Sequence, residues 1–102
     1  MQARVNILPL IPKGKDNRIT AAEIKRITNQ KDSVTRQMVH TLRENFIPIA
    51  SDRKGYFIAE KPEELNHTIA QINSRIHQMI RAKEALKKAQ RLMEEETDGS
   101  KI

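Results

Sequence analysis

One segment, residues 33–59, constrains the fold most because its apolar period changes partway along. In its first part apolar residues recur at three- and four-residue steps, the period of an α-helix: Val34, Met38, Val39, Leu42 and Phe46. After Pro48, two short apolar runs, 49–51 and 56–59, flank Asp52-Arg53-Lys54-Gly55. Such runs around a loop that contains glycine predict a β-hairpin. We therefore predict a helix followed by a hairpin.

The same helix carries a second, polar face. Its four residues share the helical spacing and can all form hydrogen bonds: Ser33, Arg36, Gln37 and His40. The hairpin loop that follows is basic through Arg53 and Lys54. A polar-faced helix followed by a basic hairpin is typical of a winged helix-turn-helix, and this pattern predicts double-stranded DNA as the partner.

The residues before this segment predict another helix. Thr20 and Glu23 form a capping-box pattern, and Asn29 suits the left-handed conformation of a helix end. The next helix is expected to begin at Asp32 or Ser33, either of which can cap it, and to end near residue 45. Two helices joined by so short a turn match a helix-turn-helix. The predicted core residues are Ile24, Ile27, Val39, Leu42, Ile47 and Ile49, joined by one of Tyr56 and Phe57.

The excess positive charge lies in the first part of the chain. The net charge is +6; residues 1–61 hold 12 Lys/Arg and 6 Asp/Glu, whereas residues 62–102 hold 7 of each. A basic surface attracts the phosphates of nucleic acid. A positive charge that merely aids solubility is the alternative interpretation.

Composition excludes several classes of protein. The chain has no cysteine, which rules out disulfides, thiolate zinc sites and cysteine nucleophiles. The apolar run from Val5 to Ile11 is interrupted and too short for a signal or membrane segment, so we expect no membrane association and a cytoplasmic protein of a bacterial host cell. With only one Tyr, two Phe and no Trp, a base-stacking RNA platform is disfavoured.

No pattern indicates catalysis. The histidines are His40, His67 and His77, and neither His67 nor His77 has carboxylates at a convincing metal-site spacing. Glycine-rich phosphate loops and paired carboxylates beside a cleft are absent from the sequence. We expect no enzymatic activity, no cofactor, no metal and no small-molecule ligand.

Residues 62–96 predict one long amphipathic helix that begins at Pro62. Apolar residues follow a heptad pattern that Lys83 and Gln90 interrupt, and they form a predicted dimerisation seam: Leu65, Ile69, Ile72, Ile76, Met79, Leu86 and Met93. A helix about 50 Å long buries little apolar surface alone, so it is expected to form a coiled-coil homodimer. In the alternative, the first half packs on its own domain and the rest is solvated. Residues 97–102 are expected to be disordered.

Residues 19–59 resemble the winged helix-turn-helix of the biotin-operon-repressor type. The resemblance rests on Ala22–Thr28, Val39–Glu44, Ile47-Pro48-Ile49 and Gly55-Tyr56-Phe57-Ile58. The whole chain resembles small helix-turn-helix proteins of bacteriophage and prophage genomes, in which such a hairpin precedes a long helix. Three positions depart from the pattern: the turn is Asn29-Gln30 instead of Gly and an apolar residue, Lys31 replaces a capping Ser, and Thr35 replaces Val.

The polar residues receive specific roles under this hypothesis. Arg36 and Gln37 would hydrogen-bond to base edges in the major groove, flanked by Ser33 and His40. Thr20 and Lys31, near the helix ends, would contact phosphates, and Arg53 and Lys54 would reach a flanking phosphate or the minor groove. Arg43 is left open between a phosphate and a surface acid. Alternatively, the polar stripe is only a solvated helix face, or it binds protein.

The sequence therefore predicts a mainly α protein with a small β-hairpin (α+β): a winged helix-turn-helix at 1–61 and a dimerisation helix at 62–96. The predicted function is transcriptional control in a phage or prophage by a homodimer. The alternatives are a replication or recombination accessory, such as an origin-binding protein or helicase-loading adaptor with a protein partner, and a protein-interaction module.

Overall fold

The computed structural model describes the backbone of residues 5–99 and the side chains of residues 5–96. It has α+β architecture with a two-stranded antiparallel hairpin and a long C-terminal helix, as predicted. Its elements are 3₁₀ turns at Leu8–Leu10, Lys15–Asn17 and Pro62–Leu65, helices α1 (Ala21–Thr28), α2 (Asp32–Glu44) and α3 (Asn66–Gly99), and strands β1 (Ile49–Asp52) and β2 (Gly55–Ile58). The chain forms two compact units, Met1–Ile69 and Ala70–Ile102, so the predicted boundary after residue 61 falls inside the first unit.

Helix α1 begins and ends as the sequence predicts. The Thr20 hydroxyl accepts a bond from the Glu23 N–H at 3.0 Å, and the Glu23 carboxylate accepts one from the Thr20 N–H at 3.2 Å. This capping box satisfies two N–H groups at the helix start. Asn29 ends the helix in the left-handed conformation, with φ 55°. The predicted cap and stop residues of α1 are confirmed.

The turn between α1 and α2 also holds the start of the described chain. The Gln30 side-chain amide accepts a 2.6 Å bond from the Val5 N–H and donates a 3.3 Å bond to the Val5 carbonyl. Lys31, rather than Asp32 or Ser33, occupies the N-cap of α2, and its side chain makes no capping bond. The helix begins at Asp32, as predicted, but the predicted caps are wrong: the Lys31 carbonyl accepts the first helical bonds, from the N–H groups of Val34 and Thr35 at 3.0 and 3.2 Å.

Helix α2 ends in a Schellman motif with phenylalanine at the position that usually holds glycine. The Ile47 N–H bonds to the Leu42 carbonyl and the Phe46 N–H to the Arg43 carbonyl, at 3.1 and 3.0 Å. Phe46 has φ 68° and is 93% exposed. Its assignment to the apolar face of the helix is therefore wrong: the chain leaves the helix one residue earlier and turns the ring to solvent.

We expect Phe46→Gly to stabilise the protein. A bulky residue in the left-handed region costs about 1 kcal/mol or more, and an exposed ring recovers little of this by burial. The variant should therefore raise the free energy of unfolding by about 1 kcal/mol in urea denaturation. Phe46→Asn should give a smaller gain, and Asn45→Gly, outside the left-handed position, should give none. A destabilised Phe46→Gly variant would contradict this account.

The hairpin pairs Ile49 with Ile58 and Asp52 with Gly55 across a two-residue turn. Both outer edges are occupied. Beside β2, the Ile19 N–H and carbonyl bond to the carbonyl and N–H of Tyr56 at 3.0 and 2.8 Å, which forms a single antiparallel bridge. Beside β1, the Thr68 hydroxyl accepts a 3.0 Å bond from the Ser51 N–H and donates a 3.2 Å bond to its carbonyl. Closed edges protect a short hairpin from pairing with other chains.

The main core lies among the first 3₁₀ turn, α1, α2 and one face of the hairpin. Its buried members are Ile7, Ile11, Ile19, Ile24, Val39 and Ile49, and Leu42, Ile47 and Tyr56 pack partly against them. Phe57 is buried on the opposite face of the hairpin, where its pairing partner Ala50 is also buried. Ile27 is 56% exposed, so its predicted place in the core is wrong. The inner side of α1 runs from Ile24 toward the half-buried Thr28, which leaves Ile27 at the solvent margin.

The C-terminal helix starts later and ends later than predicted. Pro62–Leu65 form a 3₁₀ turn, in which the Glu64 carboxylate accepts bonds from the N–H groups of Glu60 and Lys61 at 2.8 and 2.9 Å. Leu65 therefore lies outside α3 and in the first unit. The α3 backbone continues through Gly99, so residues 97–99 of the predicted disordered tail are helical, and residues 100–102 lie outside the described residues.

Candidate nucleic-acid interface

The polar face predicted on α2 is present and exposed. Ser33, Arg36, Gln37 and His40 are all accessible, whereas Thr35 and Val39 on the opposite side are buried. The four residues follow i, i+3, i+4, i+7 spacing, which places them along one side of the helix. Two of them, Arg36 and Gln37, have the side chains that pair bidentately with guanine and adenine.

His40 has an acidic neighbour, Glu44, that its position on the polar face did not predict. Its Nε2 lies 3.4 Å from Oε1 of Glu44 one turn later, and both side chains are exposed. The Glu44 carboxylate lowers the positive potential at this end of the face. Because a carboxylate repels phosphate, Glu44 makes the His40 end of this face less favourable for an anionic ligand.

The Asp52 side chain stabilises the basic turn of the hairpin. The Lys54 N–H donates a 2.9 Å bond to the Asp52 carboxylate, which closes the turn locally. The Arg53 and Lys54 side chains are exposed at its tip. The turn can therefore present two cations on a short, ordered loop.

Of the two residues predicted to contact phosphate at helix ends, Lys31 is exposed, whereas the Thr20 hydroxyl is already bonded within the capping box. Lys31 is exposed at the start of α2, next to the N–H groups of its first turn, where anions are favoured. The Thr20 hydroxyl accepts from the Glu23 N–H and donates to the Glu23 carboxylate at 3.0 Å. These bonds lower the pKa of Glu23, the bond with the Thr20 N–H being the largest influence. A phosphate at Thr20 would have to displace the capping box.

Arg18 and Asp52 form an ion pair beneath the hairpin turn. Arg18 Nη2 lies 2.5 Å from Asp52 Oδ2, and the side chains are only 16% and 21% exposed. The guanidinium also lies 5.4 Å from the centroid of the Phe57 ring. The Asp52 carboxylate compensates this charge within the fold, so Arg18 does not add to the exposed positive charge of the first unit.

Arg43 bonds to β1, a contact that neither of its two predicted roles, a phosphate contact or a pair with a surface acid, includes. Its Nε donates to the Ile49 carbonyl at 2.9 Å, and its Nη2 donates to the Ser51 hydroxyl at 3.1 Å. These bonds join the last turn of α2 to the outer edge of β1. Arg43 therefore fixes the polar helix relative to the hairpin that carries the basic turn. Its position one turn before the hairpin is the only sequence signal for this role.

The described basic side chains of the first unit divide into two groups. Arg18 and Arg43 are engaged in the fold. Exposed cations that make no ion pair within residues 5–96 include Lys25, Arg26, Lys31, Arg36, Arg53 and Lys54. The surface of this unit therefore keeps most of the positive charge that the sequence places there.

The second unit presents a different kind of surface. The predicted seam residues Ile76, Met79, Leu86 and Met93 are exposed, Met79 and Leu86 by 70% and 71%. Small side chains, including Ala82 and Ala89, lie beside them along one side of the helix. Ile72 is partly buried, and Ile69 belongs to the first unit. The seam remains a candidate dimerisation surface, without Leu65.

Within residues 5–99, no helix combines the length and apolar character needed to cross a membrane. Over the same residues, His, Asp and Glu nowhere come together in groups of three suited to holding a metal ion.

Comparison of the chain with protein-family models, curated proteins and solved structures yields no match. The functional interpretation therefore rests on the interface itself: the exposed polar face of α2, the Arg43 bonds that connect it to β1, and the exposed cations at the hairpin turn.

Proposed function

We propose that the protein binds double-stranded DNA through a winged helix-turn-helix formed by its first unit. In this proposal α2 is the recognition helix and the hairpin turn is the wing. The protein acts as a homodimeric transcriptional regulator of a phage or prophage, with α3 as the dimerisation element.

One observation carries the proposal: the helix with the exposed hydrogen-bonding face is bonded to the hairpin that carries the exposed basic turn. The face comprises Ser33, Arg36 and Gln37, and the turn comprises Arg53 and Lys54. A solvated helix face needs no connection to a basic loop, whereas a DNA-binding head needs both parts at a fixed separation. The Arg43 bonds to β1 supply that connection.

The two parts would contribute differently to binding. Cations at the turn and at Lys31 would neutralise phosphates, which gives affinity for any duplex and a strong dependence on salt. Arg36 and Gln37 would discriminate between base pairs, since bidentate pairing is worth about 1–3 kcal/mol against a wrong base. His40 would contribute least because Glu44 lies beside it.

The test is a fluorescence-anisotropy titration at two salt concentrations, first with random-sequence duplex and then with a selected site. Wild type should bind random duplex at low salt and lose affinity steeply as salt rises. Arg36→Ala/Gln37→Ala should weaken binding to the selected site by about tenfold or more and reduce its preference over random duplex.

The chain offers a matched control in Gln78→Ala/Arg81→Ala. It removes the same two residue types from exposed positions of α3 outside the seam, so it should retain site preference. Folded wild-type protein that fails to bind duplex at low salt would refute the proposal. Equal loss in both double variants would refute the assignment of the recognition face.

A second candidate, protein binding by the first unit, is favoured by Phe46. A phenylalanine held in a left-handed conformation and 93% exposed is maintained at a cost to stability, a combination that suggests a functional contact. This would suit a replication or recombination adaptor or a pure interaction module. Phe46→Ala would then abolish partner capture, whereas a regulator that binds only DNA should keep its site preference in this variant.

A further inference from the structure

We propose that α3 pairs with α3 of a second copy in the antiparallel direction, with the pair centred between residues 84 and 85. This inference rests on the homodimer in the proposed function and deepens it by fixing the direction and register of the helices. It comes from the order of charges and seam residues along the second unit.

The available seam begins inside the second unit. Helix α3 up to Ile69 belongs to the first unit, where the Thr68 hydroxyl is bonded to Ser51. Beyond that point the positions spaced by three and four residues are Ile72, Ile76, Met79, Lys83, Leu86, Gln90 and Met93. Ile76, Met79, Leu86 and Met93 are each at least 50% exposed. This face therefore needs a partner of about the same length.

Charge along this stretch is strongly polarised. Residues 75–91 hold six basic residues and one acid, Glu84, whereas 94–96 are three consecutive glutamates. Glu84 lies 3.8 and 3.9 Å from Lys83 and Lys87 in its own chain, so it is already shared between two bases. Among the described side chains of the helix, only Glu84 forms ion pairs with these bases, so most of the positive charge at 75–91 and the negative charge at 94–96 make none there.

In a parallel, in-register pair, each seam residue would face the same residue of the second copy. Lys83 would meet Lys83 of the second copy within the seam, and Gln90 would meet Gln90. The two glutamate clusters would lie together at one end. Opposed like charges are destabilising, and a charge in the seam is the most costly of them.

An antiparallel pair avoids each of these contacts. When paired positions add up to 169, Ile76 meets Met93 of the second copy, Met79 meets Gln90, and Lys83 meets Leu86. The positions that flank the seam on one side add up to 171, so Arg75 and Glu96 face each other twice in the dimer. Ala82 likewise faces Ala89, where small side chains allow close approach. Residues 94–96 then lie opposite residues 73–75, so each glutamate cluster has Arg75 of the second copy beside it.

The absence of cysteine makes this arrangement measurable. Ser74→Cys, Lys88→Cys and Glu95→Cys lie on the side of α3 away from the seam, and each gives one spin-label site per chain. In the antiparallel dimer, labels at 74 or at 95 are offset by about 30 Å along the axis, whereas labels at 88 are offset by about 10 Å. A mixture of 74-labelled and 95-labelled chains should add a short distance. Double electron-electron resonance measures these distances between spin labels.

A charge exchange gives an independent readout. Arg75→Glu should weaken the dimer several-fold in sedimentation equilibrium, and Arg75→Glu/Glu96→Arg should restore it, because both facing pairs are rebuilt. A parallel dimer would give similarly short distances at all three labels and no restoration, which would overturn the direction while leaving the proposed dimer intact. A monomer at the concentrations used would overturn both, and the duplex titration would still report separately on DNA binding.

Discussion

Gly55→Ala is expected to lower the free energy of unfolding by about 3 kcal/mol or more. Gly55 has φ 138°, a conformation that side chains rarely adopt, and a Cβ there would lie 2.2 Å from the carbonyl oxygen of Ile19. That oxygen accepts the 2.8 Å bond from the Tyr56 N–H, so it cannot move without breaking the bridge that closes β2. Of a total stability of about 5–10 kcal/mol, the substitution would remove a large share.

Thermal and urea unfolding followed by circular dichroism measure this effect, and Gly14→Ala provides the control. Gly14 also has a positive φ, of 94°, but its added Cβ would meet a side-chain oxygen of Glu60 at 2.8 Å. A flexible carboxylate can swing away, whereas a bonded backbone carbonyl cannot. We expect Gly14→Ala to cost about 1–2 kcal/mol. Equal losses in the two variants would show that φ alone, and not the approach of Ile19, determines the requirement at Gly55.

Asp52→Asn is expected to lower the free energy of unfolding by about 2 kcal/mol at pH 7. The amide retains an oxygen that can accept the Lys54 N–H, so the turn can still close. It removes the charge that compensates Arg18, whose side chain is only 16% exposed. An uncompensated cation near the Phe57 ring then bears its desolvation cost alone. Urea denaturation at pH 7 measures the difference.

The pH dependence of this difference identifies its origin. Burial raises the pKa of Asp52, but the hydrogen bond from Arg18, the backbone N–H groups of Lys54 and Gly55 and the Arg18 charge together lower it below the ordinary 3.8. The stabilisation by Asp52 is therefore fully present above the unfolded-state pKa of about 4 and disappears as pH falls through the lower folded value. The wild-type and Asp52→Asn curves should converge in that acidic range.

Asp16→Asn serves as the matched control, because Asp16 is an exposed aspartate in a 3₁₀ turn of the same unit. It should change stability by less than about 0.5 kcal/mol at pH 7. Arg18→Met/Asp52→Asn should recover part of the loss, since it leaves no uncompensated charge. A gap between wild type and Asp52→Asn that stays constant down to pH 2 would rule out the ion pair as its source.

Local sequence patterns anticipated the secondary structure well where the signal was itself local. The capping box of Thr20 and Glu23, the left-handed Asn29 and the hairpin around Arg53-Lys54 each depend on residues within four positions of one another. The interactions that determine these features all lie within a short segment of the chain. The same holds for the exposed polar face of α2, which follows from spacing alone, although contact with DNA stays a prediction.

Long-range contacts decided the features that the patterns missed. Ile27 fits the apolar period of α1, but the direction of packing set by Ile24 leaves it exposed. Phe46 continues the period of α2, but the Schellman motif turns it outward because Ile47 and Leu42 close the helix end. Neither outcome is visible in periodicity, which gives the faces of a helix but not which neighbour covers them or where the chain turns away.

The sequence by itself determined the approximate limits of the three helices and of the hairpin, the location of the excess positive charge and the spacing of the α3 seam. Only the tertiary structure decided which cations remain at the surface, since Arg18 is paired with Asp52 and Arg43 with β1 through contacts 34 and 6–8 residues apart. It also decided that Thr68, within the first turns of α3, closes the edge of β1 from 17 residues away. The reason is physical: charge and period are properties of residues, whereas a satisfied donor, a closed edge or a compensated charge is a property of two segments brought together.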